Sequence, residues 1–258
     1  MAIKAHVLYE DTNHKNYLLD DWNFEQRLAV HANQHLIIHN GAGMILDPGG
    51  HKIFSKAFAE TSVCLQGGKL RYIFLSHQDP YVVAALNGWL MMTDADAYAS
   101  ALWQRFIPHF GVDSKVQDRL KPIPDEGMYL DLNGAELMLL PAHFLHSCGN
   151  FQVYDPISRI LYSGDLGAAP EREYLQVEDF PSHAKLMTGF HRRYMVSSIA
   201  MRAWVNMVKD LDIETIAPQH GAWFKGKDMV HQFMDWCGTL ECGLDWMVDK
   251  YRIPDRPL

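Results

Sequence analysis

The stretch Tyr72-Ile73-Phe74-Leu75-Ser76-His77-Gln78-Asp79-Pro80-Tyr81-Val82 carries the reading of this chain. An apolar run of strand length ends, and residues able to ligate a metal follow at once. Three further segments repeat that grammar. Glu136–Leu140 leads into Pro141-Ala142-His143-Phe144-Leu145-His146, Ile160–Ser163 into Gly164-Asp165, and Glu214–Ala217 into Pro218-Gln219-His220-Gly221. In α/β architectures, binding residues collect just beyond strand ends, so four such loops at one sheet edge can converge on one cleft. In extended backbone, residues i and i+2 point the same way, which lets His77 and Asp79 face one ion. His143 and His146 are three apart and reach one cleft together only on a helical turn.

Working outward, Leu36–His39, Met44–Asp47 and Phe151–Tyr154 also read as strands from their length and their Gly, Pro and Asp flanks. Asn40-Gly41 reads as a two-residue hairpin turn, and Asp155-Pro156-Ile157-Ser158 as a second hairpin. Three helices are predicted. One runs from Asp94 to Phe106, with Thr93 or Asp94 as its N-cap and Tyr98, Leu102 and Phe106 on one face; the others are Ser197–Val208 and about Lys227 to Lys250. Strands mixed with helices in this way indicate a layered α/β or α+β domain. No repeat or linker divides the chain, so residues 1–258 read as one domain.

Composition narrows the function. The chain has 258 residues, 48% hydrophobic and 21% charged, which is globular and excludes disorder. The net charge of −8 argues against nucleic acid and anionic lipid as partners. No apolar run is long enough for a membrane span, and the N-terminal stretch lacks the core of a secretory signal, so a cytoplasmic location is expected. Four cysteines without a CxxC pair agree with a reducing compartment. Fourteen histidines point to a nitrogen and oxygen metal site. Cys148 reads as a small buried thiol or a redox-sensitive one near the site. Arg192 and Arg193, after His191 and before a helix, suit the surface or an anion. His14, His31, His35, His39, His51, His109, His183 and His231 have no motif partner and read as ordinary surface or core histidines.

Taken in order, His77-x-Asp79, His146, Gly164-Asp165 and Pro218-x-His220-Gly221 resemble the metallo-β-lactamase superfamily pattern over essentially the whole chain. Asp47, in Met44-Ile45-Leu46-Asp47-Pro48-Gly49-Gly50, matches that superfamily's structural aspartate. The closer resemblance is to its diiron branch, the lactamase-like domain of flavodiiron proteins and the oxygen-binding diiron (ODP) family. The carboxylate at Asp79, the stretch Ala142–Pro156 and the stretch Gly189–Met195 carry it. The resemblance implies an αββα sandwich of two mixed sheets with helices outside. It also implies that His77, Asp79 and His146 hold one iron, Asp165 bridges, and His220 holds another. The donor set agrees on its own terms, since carboxylate-rich N/O sites suit non-haem iron, whereas catalytic zinc often takes three histidines.

The pattern breaks at one place. The family motif runs His-x-Glu-x-Asp-His, and here Tyr81 and Val82 replace the final Asp-His pair. The second position then has three outcomes. It is lost, it borrows a ligand from His143, His191 or Tyr81, or it binds iron through fewer protein ligands and stays open to oxygen. Tyr81 is also placed to donate a hydrogen bond to bound oxygen. Two irons are the favoured reading, one iron or zinc the alternatives. Only 38 residues follow His220, too few for a flavodoxin-like domain, so no flavin is expected on this chain. The expected function is an oxygen or redox sensor or binding module with dioxygen as ligand. Such a module would act through a signalling partner, with homo-oligomers open. The alternatives are an oxygen or nitric oxide reductase fed by a separate electron donor, and a zinc-dependent hydrolase. Whether the chain is an enzyme stays open.

Overall fold

In the computed structural model, which describes residues 4–20, 31–171, 173–254 and 256, the apolar runs become strands of two facing sheets. The first sheet holds β1 (Lys4–Glu10), β2 (His14–Asp20), β3 (Gln34–His39), β4 (Ala42–Leu46), β5 (Lys69–Phe74), β6 (Asp96–Ser100) and β7 (Leu120–Ile123), in chain order. The second holds β8 (Met128–Leu132), β9 (Ala135–Pro141), β10 (Phe151–Asp155), β11 (Ile160–Gly164), β12 (Thr215–Pro218) and β13 (Phe224–Lys225), also in chain order. Both are mixed. β1 to β4 pair antiparallel and β4 to β7 parallel, while β11 pairs parallel with β12 inside an otherwise antiparallel sheet. The opening stretch read for a signal core forms β1 from Lys4; its first three residues lie outside the described set.

The αββα layering explains why these strands read as unbroken apolar runs. Along β5, Tyr72 and Phe74 pack between the sheets against Leu137, Leu139 and Phe151. Ile73 and the following Leu75 pack the other way, beneath α1 (Phe54–Leu65), α2 (Pro80–Val83) and α3 (Leu86–Met92). Likewise Ile160 and Tyr162 of β11 face the first sheet. Leu161 faces α4 (Phe180–Tyr194), α5 (Ser198–Val208) and α6 (Lys227–Thr239). A strand covered on both faces loses the polar alternation of a half-exposed one. Each such residue contributes about 1.5–3 kcal/mol by burial. No helix among the described residues is long and apolar enough to cross a membrane.

Both hairpins form. Asn40 and Gly41 take φ of 47° and 76°, the two positive values that a tight hairpin turn between β3 and β4 requires. At the other, Asp155 accepts from the Ile157 and Ser158 amides. The helix Ser197–Val208 is present as α5, capped by the Ser197 hydroxyl, which accepts from Ala200 N.

Two helices differ from expectation. Residues 94–106 are not helical; β6 lies there, with Ala97 and Ala99 buried between β5 and β7, while Leu102 and Phe106 are exposed. Thr93 ends α3 rather than starting a helix, its hydroxyl donating to the Trp89 carbonyl. The last helix stops at Thr239 and resumes only as the short α7 (Leu244–Met247). The break is at Gly243, where φ is 51° and a Cβ would stand 2.1 Å from the Val196 carbonyl oxygen. Only glycine lets the chain pass that backbone.

His35 on β3 is a buried histidine with a consequence for acid stability. Its ring centroid lies 4.9 Å from that of Tyr162, and burial pushes its imidazole down to about 3. The unfolded chain takes up this proton near pH ~6.5, the folded chain only near its lowered value. Stability from His35 is therefore complete above pH ~6.5 and declines toward pH ~3, at about 1.4 kcal/mol per pH unit. The urea midpoint of the native chain is expected to fall between about pH 7.5 and about pH 5, and His35→Leu to flatten that fall. An equal fall in the variant would show that His35 is not responsible.

Candidate metal centre

The candidate ligands arise from both sheets and meet at their common end. His77 and Asp79 follow β5 of the first sheet. His146, Asp165 and His220 follow β9, β11 and β12 of the second. Asp165 is the hub and is fully buried. Its Oδ1 lies 3.1 Å from His220 Nε2, and its Oδ2 lies 2.8 Å from His146 Nδ1 and 3.4 Å from His77 Nε2. Asp79 Oδ2 stands 3.7 Å from His77 Nε2 and 3.8 Å from His146 Nε2. One ligand atom each from His77, Asp79 and His146 fits within a 4.8 Å cluster.

The backbone and the surrounding polar groups set which atoms face inward. Asp47, at φ 51°, accepts from the Ser76 amide at 2.8 Å and the Ser76 hydroxyl at 2.9 Å. With its own hydrogen committed, Ser76 Oγ accepts from His77 Nδ1 at 2.9 Å, so Nε2 of His77 is turned to the cluster. His220 is fixed in the same sense, its Nδ1 donating to the His31 carbonyl at 2.6 Å. Asn33 braces that loop by donating to the carbonyls of Pro218 and Gly221. Asp79 precedes Pro80 in extended backbone (φ −67°, ψ 150°), which keeps its carboxylate beside His77 instead of inside a helix. Ser147 donates to Gln78 at 2.6 Å, tying the His146 loop to the His77 loop.

The electrostatics follow from burial opposed by charge. Burial favours the neutral acid at Asp165, but His77, His146 and His220 outweigh it and hold the carboxyl well below its usual range. Burial disfavours the His77 cation, yet Asp165, with Asp79 and Asp47, raises that imidazole to about 9. Burial lifts the Asp47 carboxyl to about 6 against the pull of His77 and Ser76. His146 Nδ1, both Asp165 oxygens and His220 Nε2 are buried without a well-formed hydrogen bond. Buried polar atoms that face one another without well-formed hydrogen bonds call for an explanation such as an ion, and these four lie in one cluster.

Tyr81, at the chain position of the motif's Asp, lies against the cluster. Its hydroxyl is 3.1 Å from His77 Nε2, and its ring stands edge-on to that of His220 at 4.9 Å. Burial, together with the charges of Asp165 and Asp79, pushes its phenol far up, so it remains a neutral donor. Val82 points into the core beneath α1 and α3 and offers nothing to the site. His143 lies apart from the cluster, its Nε2 donating to the Asp125 carbonyl and its ring against Phe151. His191 is buried behind the Asp165 turn. Its Nδ1 donates to the Met187 carbonyl, and its Nε2 accepts from the Gly167 amide at 2.9 Å. With both nitrogens engaged and burial lowering it to about 4, His191 is a neutral support for the turn.

Cys148 is exposed rather than buried, while Arg192 and Arg193 lie in the last turn of α4, just ahead of α5. Sequence reasoning missed the roles of His31 and Asn33, which act through contacts nearly two hundred residues away. It also left His14 without a partner, whereas His14 bonds Asp155 at the far end of the sandwich.

Residues 30–221 match the family model described as ODP family beta lactamase. No curated protein matches the chain. Among solved structures, it is similar to one described as the peroxy diiron species of chemotaxis sensor ODP. Identity is 42%, covering 96% of this chain and all (100%) of that one, with a TM-score of 0.86. The apo state of chemotaxis sensor ODP from T. denticola is 41% identical over 97% of this chain and 100% of that one, at a TM-score of 0.85. A metal-soaked Flv1 flavodiiron core from Synechocystis sp. PCC6803 shares the fold alone. It has 18% identity, covers 92% of this chain and 62% of that one, and has a TM-score of 0.71.

Proposed function

The chain belongs to the ODP family beta lactamases, and on that premise we propose that it is a non-haem iron protein that binds dioxygen as an oxygen or redox sensor module. The observation that carries this reading is the convergence of five ligand side chains, three imidazoles and two carboxylates, four of whose buried atoms lack a well-formed hydrogen bond. That donor set fits non-haem iron, and the similar sensor is described as a peroxy diiron species. His77, Asp79 and His146 would hold one iron, and Asp165 and His220 would hold a second. Reduced iron supplies the electrons for dioxygen binding.

The protein residues do the rest. The Asp47–Ser76–His77 relay and the His31 carbonyl present two Nε2 lone pairs inward. Tyr81 would give the second position a hydrogen-bond donor where the family motif has ligands. Val82 packs in the core and would add no ligand there. A sensor of this kind passes its state to a signalling partner. The free cysteines accord with a reducing cytoplasm.

Elemental analysis of chain purified from iron-supplemented cells tests the ligand assignment; zinc at full occupancy in its place would overturn it. Tyr81→Phe tests the donor. Metal content is expected to be unchanged, and oxygen release to be at least about tenfold faster, the effect of one hydrogen bond to a charged group. Release at the native rate would remove Tyr81 from this role.

A further inference from the structure

Beside the metal centre, His146 forms part of the wall of an open cavity of about 500 Å³, a size suited to a small organic ligand. The cavity lies between the loop after β9, the end of α4 and the segment from Gly243 to Tyr251. Among the described residues Arg193 and Lys250 line it and no carboxylate does, in a chain whose net charge is −8. The same walls present aromatic faces to solvent: Phe144 is 48% exposed, Tyr194 54% and Tyr251 80%. Large apolar faces grouped around a concavity mark a binding surface more often than chance exposure does. Tyr194 is held rigidly by stacking on Phe190, with centroids 4.7 Å apart, and its ring lies 5.6 Å from that of His146.

Flat apolar walls and two cations without a balancing acid are the chemistry of a planar anion. The rings take the aromatic body, and the Arg193 guanidinium takes a carboxylate in its planar fork. We propose that this cavity binds an aromatic carboxylate whose ring system rests on Tyr194 beside His146. The assignment stands on protein residues alone and does not depend on iron. Cys148 also lines the cavity and is exposed, whereas Cys237 and Cys242 are buried and Cys64 is half-buried on α1. An occupant therefore shields one identifiable thiol.

The test is calorimetric titration of the full chain, with and without metal, using 2-naphthoate as the probe. A single site is expected. The uncharged 2-naphthamide, and the variants Arg193→Ala and Lys250→Ala, are each expected to bind at least about tenfold more weakly, the loss of one charge-assisted contact. Both side chains are exposed, so the variants keep the native melting profile. Saturating 2-naphthoate is expected to slow alkylation of Cys148, mapped by mass spectrometry, without slowing that of Cys64. Equal binding of acid and amide, native affinity in both variants, or unprotected Cys148 would each overturn the proposal. Tighter binding of 2-naphthyl phosphate would overturn the choice of carboxylate.

Discussion

Asp165→Asn is expected to cost the chain its metal while leaving it folded. The carboxylate touches three imidazoles at once, through Oδ1 to His220 and through Oδ2 to His146 and His77. It is the only carboxylate that reaches His220 at the cluster among the described residues. Asparagine keeps the shape but offers one neutral oxygen and an amide that cannot ligate. Outer partners of metal ligands are worth about 10–100-fold in affinity, so loss of the shared ligand is expected to exceed about a hundredfold. The fold is expected to survive, because the carboxylate makes no well-formed hydrogen bond to the scaffold and its partners are the site's own three imidazoles. Elemental analysis after dialysis, with a melting scan of the metal-free chain, checks both halves. Full metal retention would exclude Asp165 as the bridge.

Asp155→Ala is expected to do the reverse. Asp155 sits at the end of β10, which runs antiparallel to β11, and so lies at the opposite end of the sandwich from Asp165. Its Oδ2 accepts from His14 Nε2 at 2.6 Å, Asn16 at 2.8 Å and the Ser158 hydroxyl at 2.6 Å. His14 and Asn16 belong to β2, so this buried carboxylate ties the two sheets together. Burial would raise its pKa, but these donors outweigh burial and hold it below the usual carboxylate value. A depressed carboxylate contributes stability that is present above its unfolded pKa near ~4 and lost as pH falls through the folded value. Removing it strands several buried donors, at about 3–5 kcal/mol, a large part of a typical folding free energy. The urea midpoint is expected to drop accordingly at neutral pH, with metal per folded chain unchanged. A drop under about 1 kcal/mol would mean that the network is solvated or redundant.

The two variants separate what was legible in the sequence from what was not. The runs that became β5, β9, β11 and β12 were legible because strands buried on both faces are apolar throughout, and each is followed directly by its candidate ligands. The order His77, Asp79, His146, Asp165, His220 needed no structure, and the five residues do meet. Residues 94–106 misled because Thr93 and Asp94 imitate an N-cap and three side chains recur at helical spacing. What decides the matter is parallel pairing of β6 with β5 and β7, a long-range fact. The end of α6 was hidden for the same reason, since Gly243 is required by the Val196 carbonyl and not by its neighbours. The loss of the Asp-His pair was visible in the sequence. That Tyr81 turns its hydroxyl onto His77 while Val82 turns into the core depended on how α2 seats against the sheet.

The central claim is that the cluster holds iron and that the iron binds oxygen without consuming it. The direct measurement is an oxygen titration of the iron-loaded chain, reduced in the absence of air, with the visible spectrum and the dissolved oxygen followed together. The account predicts a pair of irons per chain, stoichiometric oxygen uptake, a visible band that persists, and recovery of oxygen when it is withdrawn. Continuous oxygen consumption with an added electron donor would contradict binding without turnover. A chain that retains zinc and leaves the oxygen untouched would contradict the iron assignment itself.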